Sequence, residues 1–388
     1  MSFDSVNGRM TPVPVVIAEG RTSLHLLVEE ATRQLTICNS CRYCEGLCAV
    51  FPALERRQVI ENGDVSQLAN LCHDCRACFD ACMYEPPHEF AIDIPKALSA
   101  VRLADYQRFV WPRRVPAFFS GWKGLVLGSL IAAAVVLTLA VISSGWSALV
   151  QKADGAAGPY DLIPYGPLIG LLLAAGLYSV VVMAFAVRTY WREVGGAPGR
   201  FTLSAVLAAV WYAATLRYLR GGGVECYYPE DDVPNAGRRR LHALVAYGFG
   251  LCLVSTSAAA IMQDFVGIEP PYPLLSVPVI AGVIGGLGLL VGCVGLLILK
   301  TRSSSVTSFA QMNIKDYGLL VSLAFLALSG LAVLVVRDTT AFNIVFLIHL
   351  AAVVEAFAMA PYSKFVHVVF RFAALVRDNL ELEEQAAR

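Results

Sequence analysis

The sequence predicts a mainly α-helical protein in two parts, a small polar front domain followed by a bundle of membrane-spanning helices. Three observations carry this expectation. The 388 residues are 57% hydrophobic and only 15% charged, whereas soluble domains carry about a quarter charged residues. Long uncharged tracts begin only after about residue 120, so polar residues gather at the front. Eight of the eleven cysteines fall between Cys38 and Cys82. The boundary is placed between residues 115 and 116, with a polar loop at 188–241 inside the second part. The net charge is zero, so composition gives no reason to propose nucleic acid as a partner.

The first twenty residues lack a basic start followed by an apolar core, so no secretory signal is expected and the front domain should stay in the cytoplasm. Dense cysteine in that compartment points to metal rather than disulfides. "CNSCRYCEGLC" places Cys38, Cys41, Cys44 and Cys48 at spacings of two, two and three, and "CHDCRACFDAC" repeats the pattern with Cys72, Cys75, Cys78 and Cys82. Two such runs are the arrangement that holds a pair of [4Fe–4S] clusters in bacterial ferredoxins. Three thiolates on one tight loop reach three corners of a cube, and the fourth, a helical turn on, reaches the other cube. The expected sets are therefore Cys38, Cys41, Cys44 and Cys82 for one cluster, and Cys72, Cys75, Cys78 and Cys48 for the other. Structural zinc prefers two separated Cys-x2-Cys pairs and fits less well. The proline that usually follows the fourth cysteine is absent: Ala49 and Met83 stand there, with Pro52 and Pro86 a few residues on. His73 is expected to face solvent or adjoin the thiols, and His25 to be structural in the amphipathic stretch "SLHLLVEEATRQL".

Six tracts reach the roughly 20 apolar residues that a bilayer requires: Gly124–Ile142, Pro164–Val187, Ala243–Met262, Val277–Leu299, Tyr317–Val336 and Thr339–Ala360. The loop from Arg188 to Arg240 holds eight arginines, Lys300 and Arg302 follow the fourth tract, and Lys364, Arg371 and Arg377 follow the sixth. The opposite loops offer only Lys152 and Arg337. The positive-inside rule then places both termini in the cytoplasm. "FTLSAVLAAVWYAATLRYLRGGG", from Phe201, ends in Arg217 and Arg220 and reads as an interfacial helix, since a seventh crossing would reverse the charges that follow. "GGLGLLVG" (Gly285–Gly292) lies inside an apolar run and follows no soluble strand. Gly282/Gly286 and Gly288/Gly292 read there as small residues that let helices approach. No dinucleotide-binding fingerprint is present. Cys226, Cys252 and Cys293 are isolated and read as structural.

Ionisable residues in spans are costly and usually functional. His242 opens the third span after three arginines, and His367 follows the sixth at a similar depth. One imidazole from each could clamp a haem b near the front domain. His349, 18 residues before His367, would share its face about 27 Å away on a straight helix. Pro361, lying between them, would kink it. A second haem at His349 has no histidine opposite it, leaving the Met262 thioether, a five-coordinate haem or no second haem as alternatives. Ordinary hydrogen bonding between helices is the plainer role for all three histidines. Glu355 could carry protons for quinone chemistry or pair with a polar neighbour.

Three blocks give the chain a family resemblance: the doubled cysteine motif running into "YEPPHEFAIDIPKALSAVR", then "RRRLHALVAYGFGLCLVSTSAAA", then "HLAAVVEAFAMAPYSKFVHVVFRFAALVR". Together they resemble the B component of tricarballylate and citrate utilization, a ferredoxin-like domain joined to a haem b membrane domain. The resemblance implies a multi-pass protein of the bacterial inner membrane. It implies an electron-transfer subunit that reoxidises the flavin of an FAD-dependent cytoplasmic dehydrogenase and reduces the quinone pool. It reaches the eight cysteines, His242, His349 and His367, and departs at Ala243 and Gln263, where further histidines are expected. Two other functions compete: a quinol-fed relay to a cytoplasmic reductase of the heterodisulfide type, and a non-catalytic iron–sulfur membrane anchor or redox sensor.

Overall fold

The computed structural model describes residues 24–119, 121–149, 159–197, 199–223, 225, 234–302 and 309–388. The first twenty residues, Lys152 and Cys226 lie outside these. Every regular element among the described residues is a helix. The front domain contains α1 (Leu24–Cys41), α2 (Val50–Glu55), α3 (Asn62–Leu71), α4 (Ala77–Asp80), α5 (Ile94–Phe109) and the short α6 (Val115–Phe118). After it come α7 (Trp122–Ser144), α8 (Tyr165–Glu193), α9 (Leu203–Ala214), α10 (Gly237–Val266), α11 (Val277–Thr301), α12 (Ala310–Val335), α13 (Phe342–Met359) and α14 (His367–Ala387).

Local chemistry fixes the front helices. Glu61 and Asp64 close a reciprocal capping box at the start of α3. Asp93 caps α5 by accepting the Lys96 amide, and Pro95 follows in the first turn, where its missing N–H costs nothing. Leu35, Leu54, Leu68, Leu71, Leu98 and Tyr106 are fully buried between these helices, each stabilising the domain by roughly 1.5–3 kcal/mol.

Six helices, α7, α8 and α10 to α13, are long and apolar enough to cross a membrane. They overlap the six expected tracts with shifted ends: α10 starts at Gly237 and α12 at Ala310, earlier than expected, while α13 is shorter, Phe342–Met359 against Thr339–Ala360. α9 has 12 residues, about 18 Å of rise against a core of about 30 Å, and is too short to cross. The straight helix from His349 to His367 does not form. α13 ends at Met359, Pro361 lies in the turn, and a single 3-10 turn (Lys364–Val366) leads into α14. Proline supplies no amide for the next helical bond, so the chain leaves the bundle there.

α14 then folds back over the front domain and packs on α3, α8 and α9. Phe370 is its keystone. Its ring stacks on Tyr106 at 5.5 Å between centroids, meets Tyr190 edge-on at 5.4 Å and touches Phe109. A polar seam runs alongside. Gln67 donates to the Ala374 carbonyl and accepts from the Tyr190 hydroxyl, both at 2.8 Å. Arg56 and Arg57 bind Asp378 and Glu381 on α14. At Gly63 the backbone runs so close to α8 that a Cβ would lie 2.5 Å from the Glu193 carbonyl oxygen. Front domain and membrane helices thus share one hydrophobic core.

In the bundle, α10 packs on α11 through glycine. A Cβ at Gly248 would fall 2.6 Å from the Leu289 amide, and one at Gly292 2.8 Å from the Leu241 carbonyl. The expected pairing of Gly282 with Gly286 is redistributed: Gly282 faces Ser255 on α10, and Gly286 faces Leu331 on α12. Gly248→Leu or Gly292→Val should force α10 from α11 at about 1–3 kcal/mol, seen as a lower unfolding midpoint of the purified chain in detergent. Gly288→Ala, whose methyl would come no nearer than 3.6 Å to the Leu244 carbonyl, should leave the midpoint unchanged or raise it.

Candidate functional site

The thiols sit where the chain reverses. After α1, Arg42 takes a left-handed conformation (φ 55°), and its amide donates to the Cys38 carbonyl at 2.9 Å. This turns Cys44 back beside Cys38 and Cys41. In the second motif Asp74 (φ 53°) and Arg76 (φ 65°) do the same before α4 carries Cys78. Three sulfurs accept an amide from two residues on, each at 3.4 Å: Val50 to Cys48, Asp74 to Cys72 and Tyr84 to Cys82. Amides aimed at sulfur favour the thiolate, the form that binds metal.

The thiols fall into two neighbourhoods that cross between the motifs. Cys38, Cys41, Cys44 and Cys82 line one pocket, which Cys78 also reaches, with Ile37, Phe51, Tyr84, Ile92 and Ile94 as walls. Burial, then Cys82, Cys44 and Cys41, pushes the Cys38 thiol up to about 12. Burial and then Cys82 push Cys44 up to about 11. Cys48, by contrast, is raised by burial and then by Cys75 and Cys72, and Cys78 by burial and then by Cys75, Cys48 and Cys72. Thiols crowded in this way ionise together only around compensating positive charge, which a bound iron core supplies. Among the described residues no group of three or more His, Cys, Asp or Glu could hold a single metal ion. Cys41 is exposed, beside the exposed Tyr43 and Met83, whereas Cys72 and Cys75 are buried. Cys75 packs with Leu47 and Leu299 at the end of α11, on the membrane side.

His242, in the first turns of α10, and His367, at the start of α14, face each other with ring centroids 6.4 Å apart and planes at 86°. An imidazole nitrogen bonds a metal at about 2.0 Å, with its ring centroid about 1.1 Å behind, so two rings across one iron stand about 6.3 Å apart. Two imidazoles at this separation could between them hold one haem iron. His367 Nδ1 lies 2.6 Å from the Lys364 carbonyl, which places the proton on Nδ1 and leaves the Nε2 lone pair for a metal. His242 Nδ1 is buried and has no hydrogen-bond partner among the described residues. Burial, then Arg371, His242 and Lys364, holds the His367 imidazole well below its ordinary range, in the neutral form a ligand needs.

Three arginines lie between the two centres, and in the sequence Arg238 and Arg371 read only as markers of membrane side. Arg371, one turn beyond His367, donates to the Cys72 carbonyl at 2.6 Å and to Asn70. Arg102 on α5 donates to the same Cys72 carbonyl. Arg238, one turn before His242, donates to the Asp74 carbonyl. The signal available in the sequence was the four-residue offset of Arg371 from His367 and of Arg238 from His242. His73, expected near solvent or the thiols, is partly buried among these arginines, with Nδ1 2.7 Å from the Leu71 carbonyl. Burial and Arg371 hold its imidazole well below the ordinary range.

His349 lies elsewhere. Its Nδ1 is 3.0 Å from the Ser329 hydroxyl, and its ring rests on Gly330 of α12, where a Cβ would come within 2.8 Å of Cε1. Gln263, beside Met262, accepts from the Tyr160 hydroxyl. Glu355 is buried in α13.

Comparison with known proteins identifies the family of the chain. Residues 31–108 match the citrate utilization protein B Fer4-like domain, and residues 122–388 match citrate utilization protein B itself. Citrate utilization protein B of Escherichia coli is 37% identical over 352 residues, covering 91% of this chain and 92% of that protein. No solved structure matches the chain significantly. The eight cysteines of the Fer4-like domain are consistent with two [4Fe–4S] clusters. The chain is a multi-pass membrane protein by its six apolar helices, and it belongs to the citrate utilization protein B family.

Proposed function

We propose that this chain carries electrons from a cytoplasmic FAD-dependent dehydrogenase of the tricarballylate or citrate type to the membrane quinone pool. In this reading Cys38, Cys41, Cys44 and Cys82 hold one [4Fe–4S] cluster, and Cys72, Cys75, Cys78 and Cys48 hold the other. His242 and His367 hold one haem b. When bound, these groups supply successive one-electron acceptors. The observation that carries the reading is the 6.4 Å separation of the His242 and His367 rings, one helical turn from an arginine bonded to the Cys72 carbonyl.

The chain's own residues do the rest. Exposed Cys41, Tyr43 and Met83 give the partner access to the outer thiol set. Phe51, Ile92 and Ile94 keep water from its inner wall. Arg371 and Arg102 both grip the Cys72 carbonyl, fixing the inner thiol set relative to α14 and placing positive charge between two groups that become more negative on reduction. The Lys364 carbonyl fixes the orientation of the His367 ring. The basic loops support a topology with both termini, and hence the front domain, in the cytoplasm.

A reduced-minus-oxidised spectrum of purified membranes tests the assignment. Haem b bands should be present in the wild type, fall to background in His242→Ala and His367→Ala, and persist in His349→Ala. Iron–sulfur clusters without haem bands in the wild type would instead favour the anchor or sensor function. The crossing of thiols is tested by electron paramagnetic resonance of the reduced protein. Cys38→Ser and Cys82→Ser should remove the same one of two cluster signals, about half the iron, while Cys48→Ser removes the other. If Cys82→Ser instead abolishes the signal lost in Cys72→Ser, each motif binds its own cluster.

A further inference from the structure

Beyond the redox centres, we propose that the cleft beside Cys48 binds the phosphodiester headgroup of an anionic phospholipid, gripped by Arg217 and Arg220. The cleft, about 640 Å³, is built from segments far apart in sequence: the stretch from Gly46 to Arg56 including α2, Trp211 to Arg220 at and beyond the end of α9, Arg239 on α10, and Asp378 on α14.

Charge decides the ligand class. Of the four guanidiniums lining the cleft, Arg56 is held by Asp378 and Glu381. Arg239 holds Glu225 at 3.0 Å, and Arg220 reaches the same carboxylate only at 3.6 Å. Arg217 has no carboxylate partner among the described residues and lies over the Tyr212 ring at 4.8 Å. Arg217 and Arg220 are both exposed. Among the described residues, Arg217 thus meets no carboxylate and Arg220 only one that Arg239 already holds, leaving positive charge at the rim that suits a singly charged phosphodiester.

The surroundings decide the source. α9 buries only its small face, Ala205 and Ala209, against the protein and turns Leu203, Leu207, Val210 and Trp211 outward. The Tyr247 hydroxyl of α10 donates to the Ala214 carbonyl, fixing the end of α9 against a membrane span at a point where Leu244 and Tyr247 are exposed. An apolar helix that ends in arginines, with tryptophan and tyrosine beside it, is how proteins lie at the headgroup level. A phosphate on Arg217 and Arg220 would let acyl chains run along these outward faces, which a free phosphate would leave bare.

The test uses the full chain in detergent, challenged with phosphatidylglycerol, phosphatidylcholine or inorganic phosphate, reading bound lipid by native mass spectrometry and the unfolding midpoint. Phosphatidylglycerol should bind and raise the midpoint, with phosphatidylcholine at least about tenfold weaker, the ratio expected for one charge-assisted contact. Arg217→Gln/Arg220→Gln should erase the preference, Arg217→Lys/Arg220→Lys should largely keep it, and Arg337→Gln, near the other ends of the spans, should not alter it. Equal binding of both lipids, or a preference surviving in the glutamine variant, overturns the proposal. So does inorganic phosphate that displaces the lipid at equal concentration, since the ligand is then a free anion. Because both arginines are exposed, the glutamine variant should fold, and cluster content in that variant checks this separately.

Discussion

The phenyl ring of Phe370 connects the two parts of the molecule. It is enclosed by Tyr106 and Phe109 from the front domain and by Tyr190 from the second span, and removing such a ring from a packed core costs about 3–5 kcal/mol. Everything a redox relay would require depends on that joint being stiff. Electron transfer weakens steeply with distance, so a front domain swinging on a linker would serve poorly. Here the front domain instead shares its core with α8 and α14. The seam through Gln67, Tyr190 and the Ala374 carbonyl adds direction to the packing, because a shift in register would leave buried polar groups unpaired.

The same joint explains why arginine bridges the thiols and the histidines. Arg371 lies one turn beyond His367 on a helix already clamped by Phe370, so its reach to the Cys72 carbonyl needs little further ordering. Arg238 approaches the same loop from α10. Neither contact neutralises a carboxylate. Both deliver positive charge to main-chain oxygens next to cysteine, which suits a place where negative charge rises and falls with oxidation state.

Much of this was legible in the sequence because the signals are periodic or spaced. Cysteine intervals predicted two motifs, and Cys82 of the second lines one pocket with Cys38, Cys41 and Cys44 of the first. Apolar length marked the six spans. What stayed hidden depends on the three-dimensional path. Pro361 marks a kink between His349 and His367, but nothing in the composition says that the chain then turns back over the front domain. Glycines in α11 read as a helix-approach stripe, but only the packed bundle shows that Gly285 and Gly292 face α10 while Gly286 faces α12. Arg371, Arg377 and Lys364 read as markers of membrane side. That one of them grips the cysteine loop required knowing where α14 goes.

That return of α14 also sets an order of manufacture. A ribosome releases the cysteine loops first and His367 to Ala387 only after all six hydrophobic helices have been handed to the membrane. Until then the faces of α3 and α5 that await Phe370 and Ala374 stand open to water. The nascent front domain must wait, unfinished, for a segment made some three hundred residues later, so completion of the wet domain itself reports that the membrane part has been inserted.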